Sequence, residues 1–488
     1  MRFLTRGALA VLLALGGGGG PGSAVALMAG AATVPLDLPR GTPLAGYGAF
    51  PRRALIPGLL FAGGPAFWFT PATGVRDGLR VRAVVLEDRG ERLLWLALEV
   101  VGIDPALVSS LGERLARRGE PRPRTIVLSA SHTHSGPGGF AQSELFGLIA
   151  MDRPSHEVRE RLLDAMEDAA VRAEAGKEPA LMGTGSVTVR GQNPSRIGAA
   201  VDEELAVVKL VGAGGRPIAV LWNFAIHGTA LGKRNLELSG DLMGDASARI
   251  EASLGAPALF VNGAVADASP AARGPEGVAA LGATLANAVV GAWPGIRAGP
   301  AGRLDIARRR VDLPRPRLSL RSCLGPWVPA GLAVGLDAAL PGDIEMLAVA
   351  VGSRLAAVTI PGELQMALGI ETKISAWRRF STVVVAGLSN GYIGYLMGAR
   401  DQARSDYMGC ATLYGDGVGH VVQRAAAALL REVGAGKEAT GRASRPSAGP
   451  GAAAVSGTAV ARPARAPRPS SRASSRGPTS SAPRCCGG

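Results

Sequence analysis

The chain has 488 residues, of which 69 are Gly and 34 Pro. That is about a fifth of the sequence, against an ordinary share of roughly 12%. Hydrophobic residues still reach 47%, which excludes wholesale disorder, and the 4% aromatic content argues against carbohydrate-binding or base-stacking surfaces. The net charge of +14 is unevenly spread: residues from Ala435 onward carry +8 and Arg2 and Arg6 add +2, so the body holds an ordinary +4 and a nucleic-acid partner is set aside.

Residues 1–26 read as a secretory leader. Arg2 and Arg6 give the charged start, Gly7 to Leu15 the apolar stretch, and Ala24-Val25-Ala26 the small-residue cleavage site. A secreted or periplasmic chain without a transmembrane helix after cleavage is expected. Val81 to Leu86 and Leu93 to Val101 read as neighbouring strands, the second ending near Asp104-Pro105, and Leu107 to Arg118 has helical spacing. Thr125 to Ser129 is a buried strand, Glu157 to Ala175 a charged amphipathic helix, and Glu204–Val211 with Pro217–Asn223 a hairpin. Gly277 to Trp293 is charge-free but short, and reads as a buried helix rather than a span. Ala258 to Val261 and Ala356 to Ile360 are further buried strands.

The alternation predicts one large α/β domain over 27–435, with a mixed β-sheet packed between helices. Residues 436–488, rich in Arg, Pro, Ser and Gly, cannot offset the entropy of ordering and are expected to be disordered. Four cysteines make neither a disulfide framework nor a Cys-based metal site. Cys323 and Cys410 are left as either one bridge or two buried thiols, and Cys485-Cys486 sit in the tail.

Only five His occur, so their placement is informative. His132 and His134 follow the strand ending at Ser129 and precede the glycine-rich turn Ser135-Gly136-Pro137-Gly138-Gly139. Residues two apart in an extended chain face one side, so both imidazoles can converge on a metal or a reacting group. Backbone N–H groups of the turn are candidates for holding an oxyanion. The alternative is a pair of hydrogen-bonded structural histidines. His227 ends the strand-like Val220–Ile226 stretch, and the Asp241 carboxylate of Ser239-Gly240-Asp241 is a candidate to orient its imidazole. His156 and His420 read as bystanders. Zinc takes such nitrogen and carboxylate ligands and leaves a position for water.

The Ser-His-Thr-His-Ser-Gly-Pro-Gly-Gly run at 131–139 resembles the signature of the neutral/alkaline non-lysosomal ceramidases. Phe224–His227 with Ser239–Asp241, Asp267-Ala268-Ser269-Pro270, Ile360–Glu363, Gly387–Tyr395 and Tyr407–Gly415 resemble later family segments in the same order. The likeness runs from about Val34 to Val433. It implies one zinc per chain held by His132, His227, Glu363 and Tyr395, with Tyr392 as the fallback tyrosine. It further implies His134 as proton shuttle or carbonyl donor, and Ser269 at the serine assigned as nucleophile, a role that a zinc-activated water would replace. The family's Asn-Arg-Ser-Pro segment reads Gln192-Asn193-Pro194-Ser195-Arg196 here, so Arg196 meets the substrate only if this loop runs differently. Family members also carry a C-terminal immunoglobulin-like domain, where the low-complexity tail stands here.

The implied function is a zinc amidohydrolase that cleaves the N-acyl bond of ceramide or a related lipid amide at a membrane surface, with no protein partner. Cys323 to Pro329 and the apolar residues to Leu340 are candidates to line an acyl groove. The rival readings are a hydrolase of the same fold acting on another amide or ester, and a catalytically dead binding protein. The water route is favoured over a serine nucleophile, because Asp267 is the sole base candidate close to Ser269 in sequence.

Overall fold

The computed structural model describes residues 27–434, apart from 57, 59–63, 120–124, 330 and 403–405. The leader, the basic tail and Cys485-Cys486 lie outside the described residues.

Eight strands form the larger sheet: β1 (Met28–Pro35), β2 (Arg80–Asp88), β3 (Glu91–Leu98), β4 (Thr125–Ala130), β5 (Glu178–Thr188), β6 (Glu204–Gly212), β7 (Pro217–Phe224) and β8 (Ala258–Asn262). Their spatial order is β8-β7-β6-β5-β1-β2-β3-β4. The outermost pairs, β8 with β7 and β3 with β4, are parallel, and the inner pairs are antiparallel. The expected 204–223 hairpin is the β6–β7 pair, with a register shift at Leu210/Val211.

A smaller sheet holds β9 (Leu304–Asp312), β10 (Asp343–Val351), β11 (Leu355–Thr359) and, after the short β12 (Glu363–Leu364), β13 (Thr382–Ala386). Its order is β9-β10-β11-β13, with β11 and β13 parallel. A last short strand, β14 (Tyr395–Leu396), pairs with β12.

Strand periodicity explains the layering. In β2, Val81, Ala83 and Val85 enter one core while Val84 and Leu86 enter another. The first core lies under α1 (Pro105–Arg117) and α2 (His156–Ala175), through Leu107, Leu111, Leu115, Leu162 and Met166. The second lies between the two sheets, where Trp95, Val127 and Leu221 meet Leu347, Val349 and Val384. Helices α3 (Asp241–Leu254) and α4 (Gly274–Ala292) cover β6 to β8. A short α5 (Leu320–Leu324), α6 (Met366–Ile374), α7 (Asp406–Ala411) and α8 (Val418–Glu432) complete the chain, and α6 and α8 close the outer face of the smaller sheet. Each fully buried aliphatic side chain in these layers contributes about 1.5–3 kcal/mol.

The α/β class with a mixed sheet flanked by helices is therefore present, with a second sheet added between helical layers. The charge-free segment is α4, the one described helix long and apolar enough to cross a membrane. Its Leu281, Leu285 and Val289 pack into the core shared with α3. Asp104 caps α1 by accepting from the Ala106 N–H at 3.0 Å, with Pro105 in the first turn. Cys323 and Cys410 are joined in a disulfide that ties α5 to α7.

Candidate metal and catalytic site

The candidate site gathers loops that leave the carboxyl ends of β4, β7, β8, β11 and β13, where open α/β sheets bind ligands. Beyond β4, Ser131 and His132 donate their N–H groups to Leu98 and Val100, and His132 takes a left-handed φ of 70°. Asn262, at the end of β8, donates from one side-chain amide to both the Ser131 and the Ile226 carbonyls, which clamps the two histidine segments together. Gly228 lies where these segments touch: a Cβ there would sit 2.3 Å from the His132 carbonyl oxygen. His134 then donates its N–H to Gly228.

Three expected ligands converge. His132 donates from Nδ1 to the Val101 carbonyl at 2.6 Å, and His227 from Nδ1 to the Val265 carbonyl at 3.1 Å. Each Nε2 is then the bare nitrogen, and the two face each other at 3.1 Å. Glu363 Oε2 lies 3.4 Å from His132 Nε2 and 3.7 Å from His227 Nε2, and it is buried without a hydrogen-bond partner. Two lone pairs and a carboxylate oxygen aimed at one point form a set that a cation satisfies and a proton alone does not. The residues therefore fit a bound divalent metal.

Glu363 is held by its other oxygen, which accepts from Tyr392 Oη at 2.6 Å. Burial pushes this carboxyl up, and the Tyr392 hydrogen bond and the Arg196 charge act against it. Tyr395 stands beside Glu363 in the β12–β14 register, and its hydroxyl accepts from Arg196 Nη1 at 3.4 Å. Burial, Glu363 and Tyr407 raise both Tyr392 and Tyr395 well above the usual phenol value. Tyr392 thus supports Glu363 directly, while Tyr395 faces the Arg196 side.

His134 brings its Nε2 to 3.4 Å from that of His132, and the ligating atoms of the three histidines all lie within 4.8 Å of one another. Unlike the other two, its Nδ1 is buried with only a loose backbone contact to Gly46. Burial first, then the fields of His132, Arg196 and Arg52, lower its pKa well below the ordinary value. Arg196 donates from Nε to Ser269 Oγ at 3.1 Å, so the altered loop does bring this arginine to the site. A cavity of about 360 Å³ opens over this group, lined by His134, His227, Arg196, Ser269 and by Tyr47, Arg273 and Tyr407.

Four sequence expectations are corrected. Asp241 does not orient His227: its carboxylate accepts from the Leu231 and Leu242 N–H groups, and the Val265 carbonyl takes the imidazole proton instead. Three of the four N–H groups of the glycine-rich turn are engaged within the protein. Ser135 N–H donates to Thr133 Oγ1, Gly138 to Pro43 and Gly139 to Met151. The turn is glycine-rich because it packs tightly; a Cβ on Gly138 would meet the Met151 carbonyl at 2.4 Å. Asp267 is no base for Ser269, because it accepts from Ser195 Oγ at 2.7 Å and from the Met366 N–H at 2.9 Å. Finally, the Cys323–Pro329 stretch does not line the cavity over His134 and His227. Ala339 and Leu340 line a separate, mostly apolar cavity of about 430 Å³, which Tyr392, Phe146 and Met151 wall on the site side.

Sequence reading missed Tyr47 and Arg52, and marked Tyr407 only as the start of a family-like segment. Tyr47 packs edge-on against His134 at 4.9 Å between ring centres, with the Arg52 guanidinium 5.3 Å from its own ring. The signal was an aromatic between two glycines, Gly46-Tyr47-Gly48, in a chain with only five Tyr. A Cβ on Gly46 would fall 2.6 Å from the His134 ring.

Fold and site together define an α/β protein with a buried, histidine-rich centre, fit to hold a metal, under an open cavity. Residues 66–284 match the family described as neutral/alkaline non-lysosomal ceramidase, N-terminal. The chain is 27% identical over 230 residues to neutral ceramidase B of Dictyostelium discoideum, covering 41% of this chain and 32% of that protein. It is 27% identical over 201 residues to the neutral ceramidase of Pseudomonas aeruginosa, covering 37% and 29%. The aligned region thus spans about a third or less of the curated relatives. The crystal structure of the Pseudomonas aeruginosa enzyme superposes with a TM-score of 0.70 over 83% of this chain and 74% of that one, at 19% identity. Residues 66–284 thus carry the likeness to the neutral/alkaline non-lysosomal ceramidase family, and the solved structure extends the likeness of fold to most of the chain. The family match holds His132, His134, Arg196, His227 and Ser269, whereas Glu363 and Tyr395 lie beyond it.

Proposed function

We propose that this protein is a zinc-dependent amidohydrolase that cleaves the N-acyl bond of ceramide or a related lipid amide. The observation that carries the reading is the convergence of two bare imidazole nitrogens and the unpartnered Glu363 oxygen on one point. His132, His227 and Glu363 would hold the zinc, with Tyr395 as the fourth ligand, one ion per chain. A bound zinc supplies Lewis acidity and brings the pKa of water to about 7.

The remaining chemistry falls to this chain's side chains. Arg196, which already donates toward Ser269 and Tyr395, would hold the amide oxygen as charge develops on it. His134, neutral and only loosely held at Nδ1 by the Gly46 backbone, is suited to carry a proton to the departing amine. A fixed ligand needs a firm orienting partner on its far nitrogen, and His134 has only a loose backbone contact with Gly46 there. Ser269 would position Arg196 rather than attack. The solved ceramidase complexed with C2, of similar fold at 19% identity, supports a lipid-amide substrate for this chain. The leader, together with the Cys323–Cys410 bridge, supports a location outside the cytoplasm.

Turnover of acyl-labelled ceramide with and without a chelator tests the reading. Activity should vanish on chelation and return with zinc. Turnover indifferent to chelation would reject the metal. Chelator-sensitive cleavage of short amides without any ceramide turnover would reject the substrate class.

A further inference from the structure

The mouth of the catalytic cavity is unusually apolar and cationic. Gly46, Tyr47, Gly48 and Ala49 line the cavity, and the chain continues from them into Phe50, 62% exposed, and Leu55, 78% exposed. The neighbouring Leu148 and Ile149 are also exposed, and they are joined to this segment because Arg53 donates to the Leu148 carbonyl at 2.6 Å and Gly48 packs against the Ile149 carbonyl. Across the mouth, Tyr407 on α7 is exposed, and the disulfide ties to α7 the turn bearing Trp327, 76% exposed. Large apolar side chains grouped around an opening mark a surface that something covers.

Charge identifies the occupant. The cavity lining carries Arg196 and Arg273 and, among the described residues, no carboxylate. Arg53 and Arg153 flank the apolar lip, with their guanidinium groups over Phe69 at 5.3 Å and Phe67 at 4.0 Å. Among the described residues, neither is in an ion pair. Apolar side chains beside arginines that already lie on aromatic rings suit the interface of an anionic bilayer, with acyl chains beneath and phosphates above.

We infer that the lip formed by Phe50, Leu55, Leu148 and Ile149 docks the protein on an anionic phospholipid bilayer, with the catalytic cavity facing the membrane. This rests on the lipid-amide reading above, but membrane binding is measured without turnover, so the two can fail separately. The full chain is sedimented with vesicles of phosphatidylcholine containing about a third phosphatidylglycerol. The basic tail also attracts such vesicles, so binding is repeated at about 0.5 M salt, where charge effects reach only a few ångströms. The double variants Phe50→Ser/Leu55→Ser and Leu148→Ser/Ile149→Ser should each bind about tenfold more weakly or worse, with unchanged melting temperature because all four side chains are exposed. A Leu55→Trp variant should show added fluorescence quenching by acyl-brominated lipid, a signal that tail binding does not produce. Binding within about twofold of wild type in both double variants would overturn the inference. So would an unquenched Leu55→Trp, or a dimer that the Phe50→Ser/Leu55→Ser variant abolishes.

Discussion

His132 and His227 point their Nε2 atoms at each other across 3.1 Å, while both rings donate hydrogen bonds from Nδ1 to backbone carbonyls. Two neutral imidazoles with lone pairs in opposition repel unless a cation lies between them, and Glu363 supplies the compensating negative charge at 3.4 Å. His132→Ala or His227→Ala should therefore release the metal while the fold persists, since most of each hydrophobic core lies away from the two imidazoles. Metal analysis of the purified variants should give well under one zinc per chain. Stoichiometric zinc in both would reject the ligand set.

Gly228 is the hinge of that arrangement. Its absent Cβ leaves room for the His132 carbonyl and for Thr133, whose Cα would lie 2.7 Å away. Gly228→Ala forces the two histidine segments apart, and both are buried, so relaxation is restricted. A loss of about 2–4 kcal/mol in unfolding free energy is expected, as for overpacking at a rigid site. Zinc affinity should fall in the same variant. A Gly228→Ala protein as stable as wild type would show that the segments can part freely.

Asp241 gives a test in pH. It is buried, and desolvation raises its pKa from 3.8 to about 6 against three backbone hydrogen bonds that lower it. A raised folded pKa means that the folded state holds the proton more tightly. This group's stabilising contribution is therefore full below pH 3.8 and is lost as pH rises through about 6. The change amounts to about 3 kcal/mol across that window at 1.36 kcal/mol per pKa unit. Asp241→Asn should lower stability overall, by placing an amide NH2 where N–H groups now donate, yet remove this fall between pH 4 and 6. The difference in unfolding free energy between variant and wild type, followed over that range, should shrink as pH rises. A constant difference would mean that Asp241 titrates as an ordinary carboxyl.

The sequence carried more of this site than of the fold around it. Strands β2, β3, β4, β6, β7 and β8 were legible because continuous apolar runs bounded by turns leave little alternative. The second sheet was largely missed. Strand β9 contains Arg308, Arg309 and Arg310 in succession, which hides its pairing with β10 from any hydrophobic pattern. The residues proposed to hold the metal were marked by spacing and resemblance, but their supports were not. Val101, Val265 and Pro43 act through carbonyl oxygens, which every residue has, so no side-chain pattern could mark them. For the same reason the glycines after His134 read as exposed amides when they serve close packing, and Asp241 read as a partner of His227 when it binds the backbone of its own neighbourhood.

Ser269 separates the two routes of attack. A serine nucleophile needs a base within hydrogen-bond reach, and the described contact of Ser269 Oγ is with Arg196 Nε, a donor that cannot take its proton. Asp267 is engaged on both oxygens by Ser195 and Met366. His134 lines the same cavity and is the remaining candidate, but as base for water it serves equally well without the serine. Ser269→Ala should therefore keep measurable turnover, reduced about tenfold to a hundredfold through a less well held Arg196, with zinc content unchanged. The companion variant Arg196→Lys should lose more, because lysine cannot reach Ser269 and Tyr395 together from one planar group. If Ser269 were the nucleophile, its alanine variant would lose nearly all activity, and rapid quenching of the wild type would trap an acyl group on the serine. Mass spectrometry of the quenched protein, searching for that adduct at Ser269, decides between the two.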